Sequence, residues 1–202
     1  MKPTDAEIAT LVQGALTDDA ALSGLVAGLS SKTLDIKQRS FLTLQKLTET
    51  HPERLYLQHW DDIVAILDSP GVDAKFVAIY LLAGMAVADA EDRFEDIFNK
   101  YFSLLDDNTL IAPVHVALNA AVIFKAKPDL RQDIVKLLVS IDRTHHTPAR
   151  KALIAANAME SLDKCFDDIE DKAAVLAFAQ YYLTAPNPKA RKAAKEFLKR
   201  RG

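Results

Sequence analysis

A single cysteine, Cys165, excludes an internal disulfide and a cysteine-rich zinc site, and it suggests a reducing compartment, the cytoplasm. Six glycines and eight prolines are few for 202 residues, which argues against a β-protein built on many tight turns. Long hydrophobic runs are missing too. The longest, Phe76 to Ala88, is interrupted by Gly84 and is too short to span a bilayer. The opening residues, Met1-Lys2-Pro3-Thr4-Asp5, lack the apolar core of a signal peptide. A net charge of −3 gives no bulk electrostatic case for nucleic acid.

What the sequence does have is helical signal from end to end. Half of the residues are hydrophobic and 26% are charged, a composition that folds. Thr4 followed by Glu7 is a capping box opening the first helix. Seven prolines (52, 70, 113, 128, 148, 186 and 188) fall between apolar-periodic segments or in their first turn, where a helix lacks nothing by losing an N–H. Between these marks the periodicity predicts about eleven helices, at roughly 5–16, 18–29, 34–49, 53–67, 72–88, 91–105, 111–125, 128–141, 148–162, 171–184 and 188–201. No segment carries a strand period.

The helices repeat in pairs. An aliphatic-Asp step recurs at Leu67-Asp68, Leu105-Asp106 and Ile141-Asp142. A small or aliphatic residue followed by a basic one or histidine recurs at Ile36-Lys37, Ala74-Lys75, Val114-His115, Ala149-Arg150 and Ala190-Arg191, at spacings of 38, 40, 35 and 41 residues. Asp-Ile recurs in the second helix of successive pairs, at 62, 96 and 133, at spacings of 34 and 37. Both markers advance near the period of about 40 residues expected of a two-helix solenoid repeat.

An aliphatic-Asp turn, a Pro-bearing loop and a basic residue opening the next helix resemble the HEAT-repeat pattern, over about residues 33–201. The resemblance departs where His115 occupies the basic slot and where the Asp is missing before the first and last slots. It implies an all-α, right-handed α-α superhelix (solenoid) of about four to five HEAT-like hairpins, armadillo-like in plan. The expected organisation is a single domain over 1–202: a degenerate capping hairpin over 1–30, four repeats over 33–186, and a basic capping helix over 187–202.

Helix faces agree with stacking. Ile134, Leu137, Leu138 and Ile141 form one stripe on a second helix. The first helix over 148–162 is apolar nearly all round, as a helix enclosed by its partner and two neighbours requires.

Chemistry is sparse. None of the histidines (51, 59, 115, 145, 146) precedes a glutamate, and no two stand at the i, i+4 spacing that aims two imidazoles at one metal. His145-His146 is expected as a plain loop pair with its rings pointing apart. Carboxylate pairs such as Asp61-Asp62 and Asp167-Asp168 sit where helix starts favour acids. No phosphate loop or nucleophile motif is present, so no catalytic residue, metal or cofactor is expected.

Binding surfaces follow from the architecture. Second helices of HEAT-like arrays line the concave face, which makes Trp60, Phe102, Phe178 and Tyr181 candidate anchors for a peptide or protein partner, with core packing as the other fate of each. The slot cations Lys37, Lys75, His115, Arg150 and Arg191 are expected to pair with turn aspartates. The segment from Pro188 carries +6 against −9 for the rest. Lys192, Lys195, Lys199 and Arg200 therefore form a basic surface, either a polar end cap or a docking element. A non-catalytic interaction scaffold is the leading function. A nucleic-acid-binding HEAT protein related to DNA-repair glycosylases is the alternative, and a bilin-lyase-like enzyme ranks last.

Overall fold

A computed structural model describes residues 3–202. Eleven α-helices account for its regular structure, and no strand occurs among the described residues. They are α1 (Asp5–Thr17), α2 (Asp19–Gly28), α3 (Leu34–Thr50), α4 (Pro52–Ile66), α5 (Val72–Met85), α6 (Arg93–Ser103), α7 (Ile111–Ala126), α8 (Arg131–Val139), α9 (Pro148–Cys165), α10 (Lys172–Tyr181) and α11 (Pro188–Arg201). All eleven fall where the periodicity places them.

Local chemistry sets the ends. The Glu7 N–H donates to Thr4 Oγ1, and the Thr4 N–H donates to the Glu7 carboxylate at 2.7 Å, completing the capping box. Asp18, Asp171 and Asn187 cap α2, α10 and α11 through their side chains. Proline opens α4, α9 and α11. Short 3₁₀ turns close α5, α6, α9 and α10, and another (Ile141–Arg143) follows α8. Their i→i+3 bonds tighten the last turn and satisfy carbonyls that would otherwise lack a partner.

The chain forms two compact units, one running up to Phe94 and the other spanning Glu95–Gly202. The boundary falls within the first turn of α6. In the first unit α1 packs on α3 and α3 on α5, while α2 packs on α4. In the second, α7 packs on α9 and α9 on α11, while α8 packs on α10. Each unit therefore has one layer of odd-numbered helices and one of even-numbered helices, and advances by one hairpin at a time. That register is the physical content of a helical repeat: each hairpin hides the apolar flank left open by the one before.

The odd layer carries the core. Ala152, Ile154, Ala155, Ala156, Ala158, Met159 and Leu162 of α9 are all buried, matching the apolar circumference in the sequence. Small side chains let α7 and α9 approach until Ser161 Oγ donates to the Ala117 carbonyl at 2.6 Å. In the first unit, Gly84 of α5 faces Thr48 of α3 so closely that an added Cβ would lie 2.5 Å from Thr48 Oγ1. The aliphatic residues of the repeat marker, Leu67, Leu105 and Ile141, are buried. Their aspartates stand exposed at the turns.

Candidate interaction site

Three of the four aromatic candidates lie in the core. Trp60 of α4 is 3% exposed and packs edge-on against Tyr56 and Phe94, with the Arg93 guanidinium 5.5 Å above its ring. Arg93 also pairs with the exposed Asp61. Phe102 is buried against Phe98 and Tyr101. Phe178 is buried against Tyr182. Tyr181, at the end of α10, is the exception at 68% exposure. A helical stripe shows which residues share a face. It does not say whether the face meets solvent or the neighbouring hairpin.

The basic C-terminal residues are exposed as the charge pattern suggests, but they are partly engaged. Arg200 pairs with Asp163 at 3.0 Å, and Lys192 lies 3.8 Å from Glu196. Arg201, outside the candidate set, makes the stronger contacts. Its Nε donates to Asp163 Oδ1 at 2.8 Å, its Nη2 to the Asp163 carbonyl at 2.9 Å, and its Nη1 to Asp167 Oδ1 at 3.2 Å. Its guanidinium lies over the Phe166 ring, which in turn packs edge-on against Phe197. Lys195 and Lys199 remain exposed.

The slot cations occupy the opening turns of the odd helices, as the spacing requires. The expected pairing with turn aspartates is not the arrangement that the structure gives for Arg191, whose Nη1 donates to the Ala185 and Pro186 carbonyls. Asp106 instead turns to the next hairpin, where Oδ1 accepts the His145 backbone N–H at 2.8 Å and contacts His145 Nδ1 at 2.6 Å. Burial opposes ionisation of Asp106, yet the hydrogen bonds from His145 hold its carboxyl below the usual carboxylate value. The two imidazoles do not point apart: the His145 and His146 rings are 4.3 Å apart, centroid to centroid. Cys165 is buried, and burial pushes its thiol up to about 11, which makes it a poor nucleophile.

A broad cleft of about 820 Å³ opens along the even layer of the second unit, between α8 and the start of α10. Val135, Val139 and Ile169 supply apolar surface. Asp129, Asp133, Asp168, Glu170 and Asp171 supply five carboxylates, against two cations, Arg131 and Lys136. Arg131 is turned aside: its Nε donates to the Phe124 carbonyl and its guanidinium stacks on the Phe124 ring. Lys136 pairs with Asp133 at 2.9 Å. Gln132 ties the two walls by donating to Glu170 Oε2 at 2.6 Å. None of the four aromatic candidates lines this cleft.

Stacked hairpins in two layers, with a one-hairpin advance, decide the architecture. The chain is an all-α helical-repeat protein. Among solved structures it is similar to a designed armadillo repeat protein, at 15% identity over 99% of this chain and 95% of that one, with a TM-score of 0.49. No protein-family model matches the chain, and no curated protein does. No helix among the described residues is long and apolar enough to cross a membrane.

Proposed function

We propose that this protein is a non-catalytic interaction module that binds a lysine- and arginine-rich segment of a protein partner along the even-helix face of its second unit. The observation that carries this reading is the α8–α10 cleft, an open trough with apolar floor and a formal excess of three negative charges. Such a surface attracts cations at a distance and offers carboxylates for charge-assisted hydrogen bonds on contact. The exposed Tyr181, further along α10, offers an aromatic contact beyond the cleft.

The test is a fluorescence-anisotropy titration with labelled twelve-residue peptides, one set rich in Lys and Arg and a matched set rich in Asp and Glu. The basic set binds, and its affinity falls with salt. The triple variant Asp129→Asn/Asp168→Asn/Glu170→Gln weakens it at least tenfold, while Lys192→Ala/Lys195→Ala leaves it unchanged. Equal binding of acidic peptides, or an unaffected triple variant, would refute the reading. A duplex-DNA arm at low salt tests the nucleic-acid alternative. The repair-glycosylase form of that alternative needs a basic channel, and the carboxylate-rich cleft weighs against it.

A further inference from the structure

The turn after α6 and the loop before α9 bring together three side chains that the proposed binding face does not use. Asp106 stands in the 3₁₀ turn Leu104–Asp106, and His145 and His146 stand in the loop ahead of Pro148. One ligand atom from each of the three lies within 4.8 Å of the other two. Asp106 and His145 are exposed, so they reach the cluster from the solvent side. His146 closes it from within, at 4% exposure.

His146 is the decisive residue. Neither of its ring nitrogens has a hydrogen-bond partner in good geometry; burial holds the imidazole toward its neutral form, and the nearby Leu105 backbone only partly opposes this. A buried imidazole has one N–H and one lone pair to satisfy, and leaving both unmet is costly. Placed beside a carboxylate and a second imidazole, that lone pair completes a donor set of two nitrogens and one oxygen.

We propose that Asp106, His145 and His146 form a binding site for a divalent transition metal of borderline softness, zinc foremost. Imidazole and carboxylate donors suit zinc, at bond lengths of about 2.0–2.2 Å, which sets tetrahedral ligands roughly 3.3 Å apart. The three atoms lie within 4.8 Å of one another, so side-chain adjustments of about an ångström or two bring them to that spacing. The 2.6 Å approach of His145 Nδ1 to Asp106 Oδ1 is a hydrogen bond. Metal takes the place of the shared proton, which moves to His145 Nε2 or, from a protonated ring, leaves to solvent; the contact opens while His146 draws in. Three protein ligands leave a fourth position for water on the exposed side. The Asp106 bond to the His145 backbone N–H orients the carboxylate before metal arrives. The site joins consecutive hairpins, since Asp106 and His145 are 39 residues apart, so bound metal braces the stack at that junction.

The test is isothermal titration of the full chain with Zn²⁺, together with the ligand-field spectrum of the Co²⁺ form. One ion binds per chain at micromolar affinity or tighter, with proton release, and Co²⁺ gives the intense bands of a four-coordinate site. His146→Phe keeps a flat ring in the buried slot and removes the nitrogen; it lowers affinity at least a hundredfold, with helicity and Tm checked to confirm folding. Asp106→Asn keeps an acceptor for His145 and lowers affinity about tenfold. Unchanged Zn²⁺ affinity in folded His146→Phe overturns the proposal, as does failure of the unaltered chain to bind Zn²⁺, Co²⁺ or Ni²⁺.

Discussion

The Ser161 hydroxyl of α9 donates a 2.6 Å hydrogen bond to the Ala117 carbonyl of α7, one hairpin earlier in the stack. It reaches the Leu118 carbonyl at 3.0 Å as well. Ser161 is 1% exposed, so the seam has no room to spare. Ser161→Ala keeps the close approach and loses only the hydrogen bond, at a cost of about 1 kcal/mol. Ser161→Leu forces α7 and α9 apart and costs more, about 1–3 kcal/mol for the overpacking alone. Urea unfolding checks the order; equal midpoints for the two variants would contradict it.

Gly84 behaves in the first unit as Ser161 does in the second. Alanine is ordinarily favoured over glycine inside a helix by about 1 kcal/mol. At position 84 an added Cβ would stand 2.5 Å from Thr48 Oγ1 and 2.7 Å from Thr48 Cβ. Gly84→Ala is therefore destabilising, by about 1–3 kcal/mol. Thr48→Ala removes the hydroxyl and keeps the Cβ, so the double variant recovers part of the loss. A thermal double-mutant cycle should show this coupling, and strict additivity would exclude it.

Tyr56 donates its hydroxyl to Asp89 Oδ1 at 2.8 Å, in a buried cluster where Asp89 also accepts the Arg93 and Phe94 backbone N–H groups and so caps α6. Burial, and then the bond to Asp89, push the Tyr56 phenol up to about 12. An unfolded tyrosine ionises near 10. The unfolded state therefore loses this proton first, and the stability tied to the neutral phenol declines as pH rises from about 10 to 12. Tyr56→Phe costs about 1 kcal/mol near neutral pH and flattens that alkaline decline. Stability measured at pH 8, 10 and 11 tests this, and a parallel decline in the variant would contradict it.

Arg201 fastens α11 to α9 through Asp163, Asp167 and the Phe166 ring. Arg201→Ala lowers Tm by a few degrees, on the order expected for a domain of this size, and speeds proteolysis at the C-terminal helix. Lys195→Ala, at an exposed position with no role in this clasp, leaves both unchanged. Limited proteolysis followed by mass spectrometry locates the first cut.

The helices and their pairing were legible because their causes are local or periodic. The Thr4–Glu7 box spans three residues, and Leu67, Leu105 and Ile141 recur where each hairpin turns inward. The sites were less legible because they are made by stacking. The carboxylates at 129 and 133 meet those at 168, 170 and 171 only once α8 lies beside α10. Charge alone marks the last helix as basic, but the partners of Arg201 lie 34 and 38 residues earlier. Asp106 finds His145 at a similar distance along the chain, across the 3₁₀ turn that ends α6, and that contact also fixes where the two imidazole rings sit.

The alanine-lined contact between α7 and α9 also divides the second unit by tolerance to change. Positions such as Ala117, Ala155 and Ala158 face a neighbour with no exposed area at all, so nearly every larger residue is excluded there. Gln132 and Lys136, on α8, meet solvent. Libraries that diversify such α8 positions should keep most members folded, while libraries aimed at the odd helices should lose most of theirs, leaving α8 as the place where new binding specificities can be selected.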